Sequence, residues 1–466
     1  MSDPLNVVLL FTDDQRFDTI GALGYDYVHT PNMDRLVHTG VSFDHAYIPG
    51  GTVDAVCMPS RAMLHTGRTL FHLENHGETI PEQHVMLGEY LRQHGYVTYG
   101  TGKWHNCRSS YARSFSDGDE IFFGGMDDHW NVPVYHFDPM GRYSQTLSMT
   151  PAPRENNHLV HRECDHMHAG VHSSELFADA SVRFLNNHDK EKPFFLYTAF
   201  MAPHDPRSMP KRFLDMYDPA AVELPESWCG GHPFDNGALD ARDELLASFP
   251  RNPKEVRRHI AEYYAMISHL DHEIGRILDA VERNGYAGNT IIVFAGDNGL
   301  ALGRHGLMGK QNVYDHSLHV PLVVSGPGIR RGVRTEADVY LLDIFASLCD
   351  FMELPVPSSV EGSSFAPVLT GADGSTRSTC YFAYGETMRA VQDSSHKLIE
   401  YAVSDERTTQ LFRRETDPQE VNELSRDPSH TGVLKRMRTL LYDQAKVWGD
   451  TAHPSGKVFW RNMNCG

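Results

Sequence analysis

Cys57 stands in the run AVCMPSRAMLHTGR from Ala55 to Arg68, with Pro59 suited to the start of a helix and Gly67 to its end. Arg61 lies one turn beyond the cysteine and faces the same spot. A sulfur at a helix N-terminus beside a guanidinium reads, on local physics, as an activated thiolate in an anion-binding site. A second set of residues speaks for different chemistry. Asp13, Asp14, Asp297 and Asn298 offer only oxygen, which suits a hard cation, Ca²⁺ or Mg²⁺, rather than zinc. If Cys57 faces that ion, a soft sulfur among hard oxygens is a mismatch, and the site wants an oxygen at position 57. Taken singly, Asp13 and Asp14 would as readily cap a helix, and His105, His204, Lys103 and Lys310 would be structural or solvated. The matching Asp297 and Asn298 shift the two aspartates towards metal, and strand-end placement raises the two histidines, but nothing local raises the lysines.

Four apolar runs read as buried parallel strands. Asn6 to Phe11 leads into Asp13 and Asp14, Val97 to Gly100 into TGKWHN, Pro193 to Phe200 into MAPHDP, and Thr290 to Ala295 into GDNG. Open parallel sheets bind ligands outside the carboxyl ends of their strands, so these ends should deliver their polar groups to one edge. Helical patterns over Pro31 to Gly40, Met86 to Gly95, Ser173 to Asn187 and Lys254 to Asn284 alternate with the strands. The expected fold is therefore α/β, a large mostly parallel sheet sandwiched by helices.

Residues 106–170 lack periodicity and are rich in aromatic, Gly and His residues, as an active-site rim would be. Asp127, Asp128, His129 and His136 are rim candidates for substrate contact, and Arg207, Arg304 and His305 flank the stronger positions. A helix at about Tyr340 to Met352 precedes a linker-like Pro/Ser/Gly stretch at 353–362. Short alternating runs and a final helix, Thr431 to Trp448, then suggest a smaller C-terminal α+β subdomain with an antiparallel sheet. The expected division is 1–372, catalytic, and 373–466.

The 466-residue chain carries a formal charge of −19, which argues against nucleic acid or an anionic membrane as partner. Any anionic substrate must be held by local positive charge. None of the seven cysteines forms a C-x-x-C pair, so neither a zinc site nor a disulfide framework is indicated. The first apolar run is too short for a signal segment or a membrane span. As written the chain is expected to be cytoplasmic, or periplasmic or secreted if a leader has been removed.

The run C-M-P-S-R from Cys57 to Arg61, continued by Thr66, Gly67 and Arg68, resembles the C-x-P-S-R signature of type I sulfatases in the alkaline-phosphatase-like superfamily. NVVLLFTDDQ, TPNMDRL, TGKWH, APHDP, GDNGLALGRHGLMGKQNVYDHSLHVPLVV and QLFRRETDPQEVNEL follow in the family's order, so the resemblance covers nearly the whole chain. It implies that Cys57 is oxidised to formylglycine by a formylglycine-generating enzyme, which would remove the sulfur mismatch. It further implies Asp13, Asp14, Asp297, Asn298 and modified Cys57 as Ca²⁺ ligands, with Mg²⁺ or Mn²⁺ less suited. Arg61 would brace the formylglycine, and Lys103, His105, His204 and Lys310 would complete the pocket.

The mechanism so implied has a hydroxyl of the hydrated aldehyde attacking sulfur in line. His204 would protonate the leaving alcohol, and Lys103, Lys310, Arg61 and the cation would stabilise the sulfuryl oxygens. His105 would take the proton whose removal expels sulfate. The expected substrate is a sulfated sugar or oligosaccharide, with choline sulfate or a simple aryl sulfate as further possibilities. Alternatives are a phosphonate monoester or phosphodiester hydrolase of the same superfamily, and a noncatalytic sulfated-glycan-binding protein.

Overall fold

The computed structural model describes residues 4–152, 154–372 and 377–464. In chain order the strands are β1 (Asn6–Thr12), β2 (Gly40–Tyr47), β3 (Gly50–Gly51), β4 (Val97–Lys103), β5 (Asp117–Phe122), β6 (Thr146–Met149), β7 (Val160–Glu163) and β8 (Phe194–Ala199). They continue as β9 (Thr290–Gly296), β10 (Leu322–Ser325), β11 (Val333–Tyr340), β12 (Cys380–Tyr384), β13 (Met388–Gln392), β14 (His396–Val403) and β15 (Glu406–Arg413). Eight of them form one sheet in the order β11-β2-β10-β9-β1-β8-β4-β5. Only β10 runs against its neighbours, β9 and β2; the other pairings are parallel. β1 is NVVLLFT and buried along its whole length, as a strand covered on both faces must be.

Two apolar layers flank this sheet. On one side Val8, Leu10, Leu196 and Phe294 meet the helix Pro253–Arg283 through Tyr263, Met266 and Leu270. On the other Val7, Leu9 and Phe195 meet Ala62, Met63 and Leu64 of the helix Cys57–Thr66. The second sheet, β15-β14-β13-β12-β3, is an antiparallel meander to which β3 adds in parallel. Gly50, at φ 105°, approaches so closely that a Cβ would lie 2.1 Å from the Ala383 carbonyl oxygen. Two glycines therefore join the segment before Cys57 to the small sheet.

Several expectations need correction. β4 runs three residues further, to Lys103, because Gly102 takes φ 87° at an irregular step in the β4–β5 pairing and lets the chain stay paired. Residues 106–170 are not irregular throughout: they hold the helix Arg108–Ser114, the sheet-edge strand β5 and the hairpin β6–β7. β5, DGDEIF, is polar at its open end and has no apolar alternation to announce it. A further helix, Pro454–Asn464, follows the one expected to be last.

The linker-like stretch 353–362 is docked, since Glu361 N and Gly362 N donate to Gly67 O at 2.8 and 3.0 Å. The Glu361 carboxylate also accepts from Thr69 N at 2.7 Å. The expected boundary at 372/373 falls at residues 373–376, outside the described residues. No helix among the described residues is long and apolar enough to cross a membrane.

Candidate active site

β9, β1, β8 and β4 are consecutive neighbours in the large sheet, so their carboxyl ends stand side by side. Asp13 and Asp14 follow β1, Asp297 and Asn298 follow β9, His204 follows β8, and Lys103 closes β4. Backbone bonds fix the ends to one another: Asp13 N donates to Ala202 O at 3.1 Å and Asp297 N to Thr12 O at 2.9 Å. Asp14 turns the chain at φ 63°. The helix Cys57–Thr66 lies across this edge with Cys57 as its first residue, two positions earlier than Pro59 suggests, and Gly67 closes it in a left-handed cap.

The side chains converge. Lys310 Nζ lies 2.6 Å from Asp14 Oδ1 and 3.1 Å from Cys57 Sγ. Asn298 Nδ2 donates to Asp14 Oδ1 at 2.7 Å, and Lys103 Nζ pairs with Asp13 Oδ2. Arg61 reaches Asp297 Oδ2 with Nε at 3.0 Å and donates from Nη1 to the Lys103 carbonyl at 2.8 Å. Its immediate partner is thus the carboxylate, and through it the strand ends. His204 Nε2 stands 3.7 Å from Asp14 Oδ2, while its Nδ1 faces the Asp205 carbonyl at 2.8 Å.

The electrostatics overturn the thiolate reading of Cys57. Burial, with Asp13 adding to it, pushes the thiol well up against the pull of Lys310, so the unmodified side chain is a neutral thiol. Burial also raises Asp13, but Lys103, His204 and Arg61 outweigh it and hold the carboxyl well below its ordinary value. Asp297 is pushed up by burial and then by Asp13, against Arg61. His105, buried and close to Lys103 and Arg61, is held neutral. Lys310 stays charged, because Asp14, with Asp243 and Asp13 beyond it, outweighs its burial.

The donor set fits a hard cation. Asp13 Oδ1, Asp14 Oδ2 and Asn298 Oδ1 are buried oxygens without a hydrogen-bond partner, a costly arrangement unless something positive meets them. Asp13, Asp14, Cys57 and His204 each bring a ligand atom within 4.8 Å of the others. The Asp297 carboxylate is more committed, since Oδ1 accepts from Asp14 N at 3.0 Å and Oδ2 from Arg61.

The weaker candidates divide. His129 is fully buried, with Nε2 at 3.0 Å from the His204 carbonyl and Nδ1 at 2.6 Å from Ser173 Oγ, so it braces the backbone under His204. Arg207 Nη1 bonds His259 Nδ1 at 2.8 Å, and its Nε and Nη2 have no partner. Arg304 is tied to Asp18 at 2.5 Å, and His305 stacks on Tyr314 with centroids 4.0 Å apart. His136 pairs with Asp119 and stacks on His166, away from the converging groups. Asp127 pairs with Arg162, and Asp128 accepts from Trp130 N.

Several supports hold these groups from behind. Asn106 Nδ2 donates to Gly77 O and Met58 O at 2.6 and 3.2 Å, which holds the turn after Cys57. Glu244 accepts from Met308 N and Gly309 N at 2.9 and 2.8 Å, just before Lys310. Asp205 accepts from Arg242 at 2.9 Å. Nothing local marks Glu244, which lies 65 residues from Gly309. A cleft of 590 Å³ opens at His105, lined also by Met58, Asn106, Arg108, Tyr135 and Arg162.

The family profile described as Sulfatase matches residues 5–354. The chain belongs to the sulfatase family. A second profile, described as N-sulphoglucosamine sulphohydrolase, C-terminal, matches residues 303–447 of this sulfatase. The arylsulfatase of Clostridium perfringens is 27% identical over 94% of the chain and 93% of its own length. The N-acetylglucosamine-6-O-sulfatase of Bacteroides thetaiotaomicron is 25% identical over 96% of the chain and 87% of its own. Among solved structures, one described in complex with its substrate D-glucosamine-2-N,6-O-disulfate superposes with a TM-score of 0.77 at 22% identity, over 97% of this chain and 99% of that one. The phosphonate monoester hydrolase of Agrobacterium radiobacter shares the fold at a TM-score of 0.73 and 22% identity, over 95% and 96%.

Proposed function

We propose that this sulfatase removes sulfate from a sulfated carbohydrate, with residue 57 as nucleophile after oxidation of the cysteine to formylglycine and with Ca²⁺ bound beside it. The observation that carries the reading is the ring of buried, unpartnered oxygens of Asp13, Asp14 and Asn298 around a Cys57 that is no thiolate. Asp13, Asp14, Asp297, Asn298 and residue 57 would hold the ion. Together the ion and the aldehyde hydrate supply an acidified hydroxyl at neutral pH.

The chain's own residues do the rest. Asp13, Asp14 and Asp297 are matched in number by Arg61, Lys103 and Lys310. A bound divalent cation therefore leaves the pocket positive, ready for an anionic ester inside a chain of net charge −19. Lys103 and Lys310 are placed to hold charge on the sulfuryl oxygens. His204 Nε2 is the proton donor to the leaving alcohol, and its Nδ1 contact with the Asp205 carbonyl fixes the ring. His105, kept neutral by burial, takes the proton released in the second half of the reaction.

The sugar assignment rests on the similarity to the N-acetylglucosamine-6-O-sulfatase and on the roomy cleft at His105, whose wall mixes aromatic with charged side chains. The first test is the mass of the peptide carrying Cys57 from the natural host, where loss of two hydrogens and exchange of sulfur for oxygen is expected. Cys57→Ser should trap a sulfated serine and stop, and ordinary turnover by that variant would sink the proposal. The likeness to a phosphonate monoester hydrolase favours one rival activity. Matched sulfate and phosphate esters with one leaving group separate the two, with the sulfate expected to react faster. Binding without turnover by fully modified protein would favour a glycan-binding role instead.

A further inference from the structure

We propose a second metal site, for a transition-series divalent cation such as Zn²⁺, formed by Glu120, His166 and His168 and flanked by His136 and Asp119. It is separate from the oxygen set beside Cys57 and does not depend on the reaction assigned to that set. His166 Nε2 lies 2.9 Å from Glu120 Oε2, and His168 Nε2 lies 3.1 Å from Glu120 Oε1. The three ligand atoms stand within 4.8 Å of one another, and Asp119, His136 and His166 form a second such group that shares His166. Ligands at about 2.0–2.1 Å around a tetrahedral ion are separated by roughly 3.3 Å, so small movements bring these atoms onto one centre. Two imidazoles and a carboxylate select Zn²⁺ over Ca²⁺.

The plainer reading is that Glu120 accepts a hydrogen bond from each ring. The convergence favours the metal. Three imidazoles and two carboxylates crowd one place, His136 stacks on His166 with ring centroids 4.1 Å apart, and His166 and His168 both aim Nε2 at one buried carboxylate. The guanidinium of Arg183 lies beside the two carboxylates. Arg183 Nη2 is 2.8 Å from Asp119 Oδ2 and 3.6 Å from Glu120 Oε1, and its side chain is 50% exposed, free to turn outward as an ion enters. Glu120 itself is held at φ 50°, with its carboxylate only 5% exposed.

The ligands and the flanking His136 come from three stretches of residues 106–170, which the bridges Ile121–Tyr135 and Val134–His166 hold together. The same stretches supply Phe122, Tyr135 and Glu163 to the cleft at His105. An ion would clasp this wall to the edge of the large sheet.

Titration of the full-length protein with Co²⁺ and Zn²⁺, in millimolar Ca²⁺ to cover the oxygen set, tests the site. One equivalent of Co²⁺ should bind with visible d–d absorption, and Zn²⁺ should displace it and raise the thermal midpoint by a few degrees. His166→Ala should weaken binding at least tenfold, and His168→Ala, whose native side chain is 42% exposed and whose loss the fold will tolerate, should do the same. Asp13→Asn should leave the spectrum intact. Failure of the wild type to bind, equal binding by both histidine variants, or loss of the spectrum in Asp13→Asn would each overturn the proposal.

Discussion

Lys103 shows how much one buried charge carries here. Its ammonium is fully buried against Asp13, so Lys103→Ala leaves a carboxylate without its nearest cation in the interior. Breaking such a pair costs about 3–5 kcal/mol, and loss of a charge-stabilising group about 10²-fold or more in turnover. Urea unfolding and steady-state kinetics should both register the change, and a variant that keeps full stability would remove the pair from this account. His204→Ala should behave differently. A group that only protonates the leaving oxygen matters little when that oxygen leaves readily, so the variant should lose far more activity on a sugar sulfate than on a nitrophenyl sulfate. Equal losses on both would argue against the general-acid role. At this scale the convergence of the oxygen set with Lys103 and His204 was legible because each stands in a short motif at a strand end, whereas Lys310 sits in the long segment between Gly296 and Asp315. Arg304 and His305 lie near Lys310 in sequence, but the partners they take, Asp18 and Tyr314, are fixed only by folding and could not be read.

Elements place these groups through close backbone approaches. Gly102 precedes Lys103 at φ 87°, and a Cβ there would sit 1.9 Å from the Ala199 carbonyl oxygen. Gly102→Ala should therefore part β4 from β8 and withdraw Lys103 from Asp13. The expected result is a lower thermal midpoint together with loss of activity, whereas Gly95→Ala, also at positive φ but with nothing within 4 Å of its Cβ, should show backbone strain alone. Hydrolysis assays and thermal scans on the two variants check the contrast. β1, β8 and β9 were readable because continuous apolar runs must be covered on both faces. β10, with four residues, and β5, polar at the sheet edge, carry no periodicity long enough to read. Their pairing is decided by the partners waiting beside them.

For the molecule as a whole, buried histidines set a response to acid. Burial holds His65 down to about 3, with Arg61 adding to it, His129 to about 4, and His319 to about 3. In the unfolded chain each takes a proton near pH 6.5, while in the folded protein each refuses it until pH 3–4. The unfolded state thus binds more protons throughout that window, and stability falls as pH drops from about 6.5 towards 4, by up to about 1.4 kcal/mol per pH unit for each such group. Urea midpoints at pH 7 and pH 5 at constant ionic strength should show the decline, and an unchanged midpoint would contradict it.

The two-residue strand β3 has a kinetic meaning as well as a geometric one. Because Gly50 and Gly51 pair with Ala383 and Tyr384, the segment just before Cys57 belongs to the cooperative unit of the small sheet. Amide exchange at Gly51 should then follow the protection of β12 and β13 more closely than that of β1. If Cys57 is oxidised as proposed, the enzyme that does so would find it open for as long as that late, C-terminal meander remains unmade.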